Sequence, residues 1–262
     1  MNLKQLTSDV CKLTSEVKLF VQQENRSFST DKIELKGKSD LVSYVDKETE
    51  KLLVTGLSKL LPEAGFLTEE GTVKADEKEY IWVIDPLDGT TNFIHKFPSY
   101  SISIALCKNN VPIIGVVHEM NLDECFAAWK GGGAFCNGLK INISGINKIE
   151  DALIATGFPY RLLDKTDQYF DIIKECVKQS HGVRRIGSAA VDLAYVACGR
   201  FDAYFEFNLK PWDIAAGILL VQEAGGKVTD YSGGNDYIYG KEVLAAGHIH
   251  SEMLTLINKF WN

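Results

Sequence analysis

The sequence predicts an α+β portion followed by an α/β portion, on three observations. A helical repeat opens the chain, short β-rich segments follow one another between residues 80 and 129, and helix and strand patterns alternate from about residue 145. Consecutive strands imply an antiparallel first sheet, whereas the later alternation implies α/β pairing.

Leu3, Leu6, Val10, Leu13, Val17 and Phe20 recur at intervals of three and four residues, one face of an amphipathic helix. With fewer than three heptads and no continuing register, this face is expected to pack on the core rather than on a partner helix. A second helix is expected from about residue 46 to 61 through Leu52, Leu53, Leu57, Leu60 and Leu61, and Pro62 ends it. Segments 80–84, 101–107, 111–118 and 125–129 are rich in β-branched or aromatic residues and read as strands, with Asn109-Asn110 a turn between two of them. Beyond residue 145 the expected order is helix 165–179, strand 183–186, helix 188–197, strand 201–207, helix 211–223 and a strand near Leu244. No Pro- or Ser-rich linker, internal repeat or low-complexity tract interrupts the chain. One unit spanning 1–262 is therefore expected, with halves 1–144 and 145–262.

At 262 residues and 45% hydrophobic, the composition suits a globular core. The 28 basic and 35 acidic residues leave a net charge of −7, which argues against binding nucleic acid through its phosphates. No run approaches the roughly 18 apolar residues of a membrane span, and the N-terminus lacks a signal-peptide pattern, so a cytoplasmic location is expected. Cys11, Cys107, Cys125, Cys136, Cys176 and Cys198 are widely spaced, with no C-x-x-C pair, and read as reduced, mostly buried thiols.

The most informative segment is WVIDPLDGTTNF at 82–93, where an apolar strand runs into two aspartates. Pro86 is expected to stop the strand from simply continuing and to help bring Asp85 and Asp88 to one side. Two carboxylates and the Leu87 carbonyl between them are hard oxygen donors, suited to Mg2+ rather than zinc or copper. Gly89 and Thr90 follow, with backbone N–H groups that can meet a phosphate. Glu69 and Glu70 end another short apolar run, and Asp213 sits in the first turn of a helix opened by Pro211. Individually these are a solvated face and a capping residue. Together they supply the carboxylates that a two-metal phosphoryl site requires, with ions about 4 Å apart.

These residues resemble the inositol monophosphatase family of lithium-sensitive, Mg2+-dependent sugar phosphatases. The resemblance covers nearly the whole chain. It rests on WVIDPLDGTTNF at 82–93 and PWDIAAG at 211–217, with KGKSDLVSYVD at 36–46, LTEEG at 67–71, RRIGSAAVDLAYVACGRFDAYFE at 184–206 and EAGG at 223–226. It implies a layered α-β-α-β-α sandwich with an antiparallel N-terminal sheet, a mixed C-terminal sheet and the active site between the halves. Glu69, Asp85 and the Leu87 carbonyl match the ligands of one Mg2+, and Asp85, Asp88 and Asp213 those of a second. A third, weaker ion is expected near Glu69, Mn2+ as a substitute, and Li+ as an inhibitor. Glu70 stands behind the ligands.

Thr90 and Asp46 match the pair that positions and activates the attacking water, with Glu69 beside them, while Lys36 matches a loop lysine outside the catalytic set. Asp88, Gly89, Thr90, Gly187, Ser188, Ala189, Glu206 and Asp213 match the substrate contacts, Glu206 toward ring hydroxyls. The implied reaction is hydrolysis of a phosphomonoester, myo-inositol 1-phosphate first, by direct attack of a metal-activated water. NLKPW at 208–212 is similar to bacterial and archaeal-type members, some of which also hydrolyse fructose 1,6-bisphosphate. The resemblance further implies a homodimer.

Haloacid dehalogenase phosphatases also place Asp before D-G-T, but their paired aspartates are two apart, against three here. A catalytically idle binding protein is the rival from another class. Intact acidic residues at 69, 85, 88 and 213 argue against it.

Overall fold

A computed structural model describes residues 1–27, 33–37, 40–75, 78–158 and 164–261. Five layers run through it. The first holds α1 (Leu3–Ser27) and α2 (Tyr44–Leu60), and both lie on a seven-stranded sheet. That sheet consists of β3 (Gly65–Thr68), β4 (Tyr80–Asp88), β5 (Ser101–Lys108), β6 (Val111–Glu119), β7 (Glu124–Trp129), β8 (Gly133–Cys136) and β9 (Leu139–Ile141), in sequence order. β1 (Ile33–Gly37) and β2 (Asp40–Ser43) form a separate antiparallel pair ahead of α2.

The central layer is α5 (Ala189–Ala197) with α6 (Pro211–Glu223). Next comes a five-stranded sheet in the order β11-β10-β12-β14-β13, formed by β10 (Leu153–Thr156), β11 (Gly182–Arg184), β12 (Ala203–Phe207), β13 (Lys227–Thr229) and β14 (Glu242–Ala246). α4 (Thr166–Gln179) and α7 (His250–Ile257) cover its far face. The short helix α3 (Thr90–Ile94) follows β4 directly.

The layering explains the apolar runs. A strand covered on both faces loses alternation and becomes continuously hydrophobic. In β4, Trp82, Ile84 and Leu87 belong to the core under α1 and α2, while Val83 belongs to the core around α5 and α6. A third core, centred on Tyr169, Phe205 and Trp261, lies under α4 and α7. In α1, Leu6, Val10 and Val17 are buried as the spacing predicts, and the helix continues past Phe20 to Ser27 because Val21 is buried too.

Two expectations are corrected. The C-terminal sheet is mixed, as expected, with β10 parallel to β11 and β12 and the remaining pairs antiparallel. The N-terminal sheet is also mixed, because β3 runs parallel to β4. Parallel neighbours cannot be joined by a tight hairpin. Nor does the strand end at residue 84: β4 continues to Asp88, with Pro86 in a bulge. All six cysteines are free, with Cys107 and Cys176 buried and the other four partly exposed. Among the described residues no helix is long and apolar enough to cross a membrane.

Candidate active site

Residues three apart on a regular strand point to opposite faces. Asp85 pairs with Ser103 and Asp88 with Ser101, so Pro86 and Leu87 together face the single residue Ile102. This bulge changes the parity of the strand and brings the two aspartates into each other's field. Asp85 Oδ1 accepts the Leu87 N–H at 2.9 Å, which fixes the turn locally.

The parallel pairing of β3 delivers the third carboxylate. Thr68 lies beside Ile84, so Glu69 comes next to Asp85, and its N–H donates to the Ile84 carbonyl at 3.2 Å. The Asp85 and Glu69 side chains share a hydrogen bond. Asp213 arrives from α6: the Ser103 hydroxyl donates to the Trp212 carbonyl at 3.2 Å, tying the start of that helix to the residue opposite Asp85.

Burial pushes the Asp85 carboxyl well above the ordinary carboxylate range, and the charges of Glu69, Asp88 and Asp213 push it further. Asp213 is also raised well above its usual value, by burial and then by Asp88 and Glu69. Four acidic groups in one desolvated region repel one another, and a divalent cation is what relieves such a cluster. The donor set, carboxylates beside a backbone carbonyl, fits Mg2+ or Mn2+. As they stand, the groups are not drawn into a cage: among the described residues no three acidic, histidine or cysteine side chains group closely enough to hold an ion. Some of their oxygens are engaged elsewhere. Asp213 Oδ2 accepts the Lys210 N–H at 2.7 Å, so its helix-capping role is real. Asp88 Oδ2 accepts from the Ser188 hydroxyl at 2.6 Å and the Ala190 N–H at 2.7 Å.

The Thr90 hydroxyl stands 2.9 Å from Asp46 Oδ1 and 3.0 Å from the Leu87 carbonyl. Asp46, in the first turn of α2, is buried. Gly89 precedes α3 with φ +94°, and a Cβ there would lie 3.0 Å from the Ser99 carbonyl oxygen, so glycine is required. Gly187 also has positive φ, and Asn92 Nδ2 holds the adjacent Ile186 carbonyl at 2.9 Å.

Ser188 is the N-cap of α5 and accepts from the Val191 N–H at 3.3 Å. With Ala189 it starts the helix that Asp88 caps; burial nevertheless lifts Asp88 to about 6, against the Ser188, Ala190 and Ala189 hydrogen bonds and the Arg185 charge. Glu206, near the end of β12, is raised to about 7 by burial, while the Tyr204 hydroxyl bonded to it acts in the opposite direction. Lys36 falls in β1, and residues 38–39 of the 36–46 motif lie outside the described residues.

The structure thus brings Glu69, Asp85, Asp88 and Asp213 into mutual electrostatic reach and puts Thr90 on Asp46. It adds residues that sequence reasoning missed. Asn92 joins α3 to the Gly187 turn, and its signal was its place within the GTTNF motif. Gly157 leaves room for Glu206, since a Cβ there would meet Glu206 Oε2 at 1.9 Å. An isolated glycine at the end of an apolar run was the available sign. Asp192 is buried beside Glu206 and Asp88 and carries a carboxyl raised well above its usual range, first by burial.

The fold is that of the inositol monophosphatases, a class of phosphatases. The chain belongs to the inositol monophosphatase family, whose sequence profile matches residues 2–262. It is 41% identical over 218 residues to inositol-1-monophosphatase of Mesorhizobium japonicum, covering 83% of this chain and 82% of that protein. It is 44% identical over 216 residues to Nus factor SuhB of Pseudomonas aeruginosa, covering 80% of this chain and 79% of that protein. The crystal structure of the extragenic suppressor protein SuhB from Bartonella henselae superposes with a TM-score of 0.90 at 38% identity, covering 95% of this chain and 96% of that one.

Proposed function

We propose that the protein is a Mg2+-dependent phosphomonoesterase acting on inositol phosphate, with 1–262 working as one catalytic unit. The observation that carries this reading is the Thr90 hydroxyl at 2.9 Å from buried Asp46, at the end of the strand that bears Asp85 and Asp88. A hydroxyl on a buried carboxylate is the arrangement that orients a water and takes up its proton.

Glu69, Asp85, the Leu87 carbonyl, Asp88 and Asp213 would hold the ions. Bound Mg2+ supplies Lewis-acid charge for phosphoryl oxygens and lowers the pKa of water. Asp46 keeps the Thr90 oxygen oriented, so the proton of the attacking water can pass toward the carboxylate. The backbone at Gly89 and Thr90 receives phosphate oxygens. Glu206, Ser188, Ala189 and the Gly187 turn line the alcohol side of the ester, and the departing oxygen takes its proton from solvent. Mn2+ is the expected substitute and Li+ the expected inhibitor, and the working form is proposed as a cytoplasmic homodimer.

The test is phosphate release from myo-inositol 1-phosphate with and without Mg2+ and Li+, beside fructose 1,6-bisphosphate and other phosphomonoesters. Mg2+-dependent, Li+-sensitive release supports the assignment, and comparable turnover of the bisphosphate widens it to a broader sugar phosphatase. No release from any ester by metal-loaded protein overturns it and favours a second reading, a Nus-factor role, which the SuhB relatives suggest by name.

A further inference from the structure

α2 carries two buried acids one turn apart. Asp46 meets the Thr90 hydroxyl; Glu50, four residues on and 0% exposed, points along the same face of the helix. Glu50 Oε2 accepts the Glu70 N–H at 2.8 Å and Glu50 Oε1 the Thr72 N–H at 2.7 Å. Both oxygens are committed to the loop that follows Glu69. On the other side, the Glu69 N–H is held by the Ile84 carbonyl of β4. The backbone that presents Glu69 is therefore anchored before and after that residue, to the strand of Asp85 and to the helix of Asp46.

We propose that Glu50 is a positioning residue for the metal centre: it clamps the 69–72 loop so that the Glu69 carboxylate is delivered beside Asp85. The inference rests on the proposed role of Glu69 as a ligand. A buried carboxylate among other acids is a costly way to satisfy two N–H groups. Its chemistry explains the choice: only a carboxylate of this length offers one acceptor oxygen to each of two diverging donors. Glutamine fills the same volume but sets an NH2 donor against one N–H, and aspartate keeps the charge but is one methylene too short. Groups that orient metal ligands in this way govern affinity, and losing one commonly weakens metal binding by roughly 10- to 100-fold.

The experiment is Mn2+ titration of wild type, Glu50→Gln and Glu50→Asp by calorimetry and electron paramagnetic resonance, with amide exchange of wild type read in parallel. Both variants are expected to bind Mn2+ roughly 10- to 100-fold more weakly, and the turnover they lose returns as Mg2+ is raised. A general loss of stability would lower the melting temperature without moving the Mn2+ constant of the folded fraction. In EDTA-treated wild type the Glu70 and Thr72 amides are expected to exchange slowly. This readout needs no variant to fold. Variants that bind Mn2+ as wild type does, or loop amides that exchange at solvent rates, overturn the positioning role and leave the proposed function standing. Wild type that binds no Mn2+ overturns both.

Discussion

Asp88 and Ser188 join the two sheets through one short hydrogen bond: the hydroxyl of the α5 N-cap donates to the carboxylate at the end of β4 at 2.6 Å. The same carboxylate takes the Ala190 N–H at 2.7 Å, so a residue of one sheet caps the helix that packs on the other. Opposite Asp88 in β5, Ser101 brings its hydroxyl within 3.3 Å of Ser188. Resemblance assigns the helix start to substrate. The structure shows that it also has a structural duty.

That duty can be measured with Ser188→Ala. The variant loses the side-chain cap on Val191 and one partner of Asp88. Loss of a serine cap costs about 0.5–2 kcal/mol. For a chain of this size the melting temperature should fall by roughly 2–4 °C per kcal/mol in calorimetry. An unchanged melting temperature would mean that the cap contributes nothing.

The raised carboxyls make stability depend on pH in a defined direction. Burial raises Asp88 to about 6 and Glu206 to about 7 in the fold, above the ordinary carboxylate values of 3.8 and 4.5. Between the unfolded and folded values the native state holds more protons than the unfolded state, so stability falls as pH rises through that window and levels off above it. EDTA-treated protein should therefore melt at progressively lower temperature from pH 5 to about pH 7. Added Mg2+ should restore more of the melting temperature at the upper end of that range, since binding requires deprotonated ligands. A gain that shrinks with rising pH would contradict the assignment of Asp88 to an ion site.

Asp85→Asn separates stability from turnover. The carboxyl that it replaces is disfavoured in its charged form by burial and by Glu69, Asp88 and Asp213. Fold and EDTA-state melting temperature should survive the change, while kcat drops by orders of magnitude because the shared anionic ligand is gone. Near-normal turnover of purified variant would remove Asp85 from the proposed centre.

Thr90→Val keeps the shape and deletes the hydroxyl that meets Asp46 at 2.9 Å. Proton transfer by a positioned group contributes about 10²- to 10⁴-fold, so kcat should fall by that order with Mn2+ affinity retained. Thr90→Ser, which restores the hydroxyl, should recover most of it. Equal rates in the valine and serine variants would show that the hydroxyl carries no proton in the rate-limiting step.

The sequence showed most where periodicity was long. Six apolar positions located α1, and α6 has the bounds expected from Pro211 to Glu223, since a proline at the first helical position needs no N–H partner. It missed β9, β10 and β13, strands of three or four residues that display no period. The parallel β3 was the costlier omission. A run that stops at Glu69 reads as a surface edge until its register beside Ile84 is seen, and that register is what sets Glu69 against Asp85. The acidic motif announced the cluster, but the bulge at Pro86 that lets Asp85 and Asp88 act together is a tertiary fact.

Gly157→Ala tests the alcohol side of the site independently of the metal side. A Cβ at 157 would lie 1.9 Å from Glu206 Oε2 and 2.0 Å from its Cδ, so the carboxylate must leave its place beside Tyr204. The Glu206 charge acts on Asp213 more weakly than the charges of Asp88 and Glu69 do. KM for inositol 1-phosphate should therefore rise by about tenfold or more, the scale of one lost charged hydrogen bond, while the Mn2+ constant stays put. A small phosphomonoester without ring hydroxyls, such as 4-nitrophenyl phosphate, should be turned over almost as by wild type, because it makes no use of Glu206. If both esters lose activity in parallel, Glu206 acts on the phosphate or the ions instead, and the division of the site into a metal side and a hydroxyl side fails.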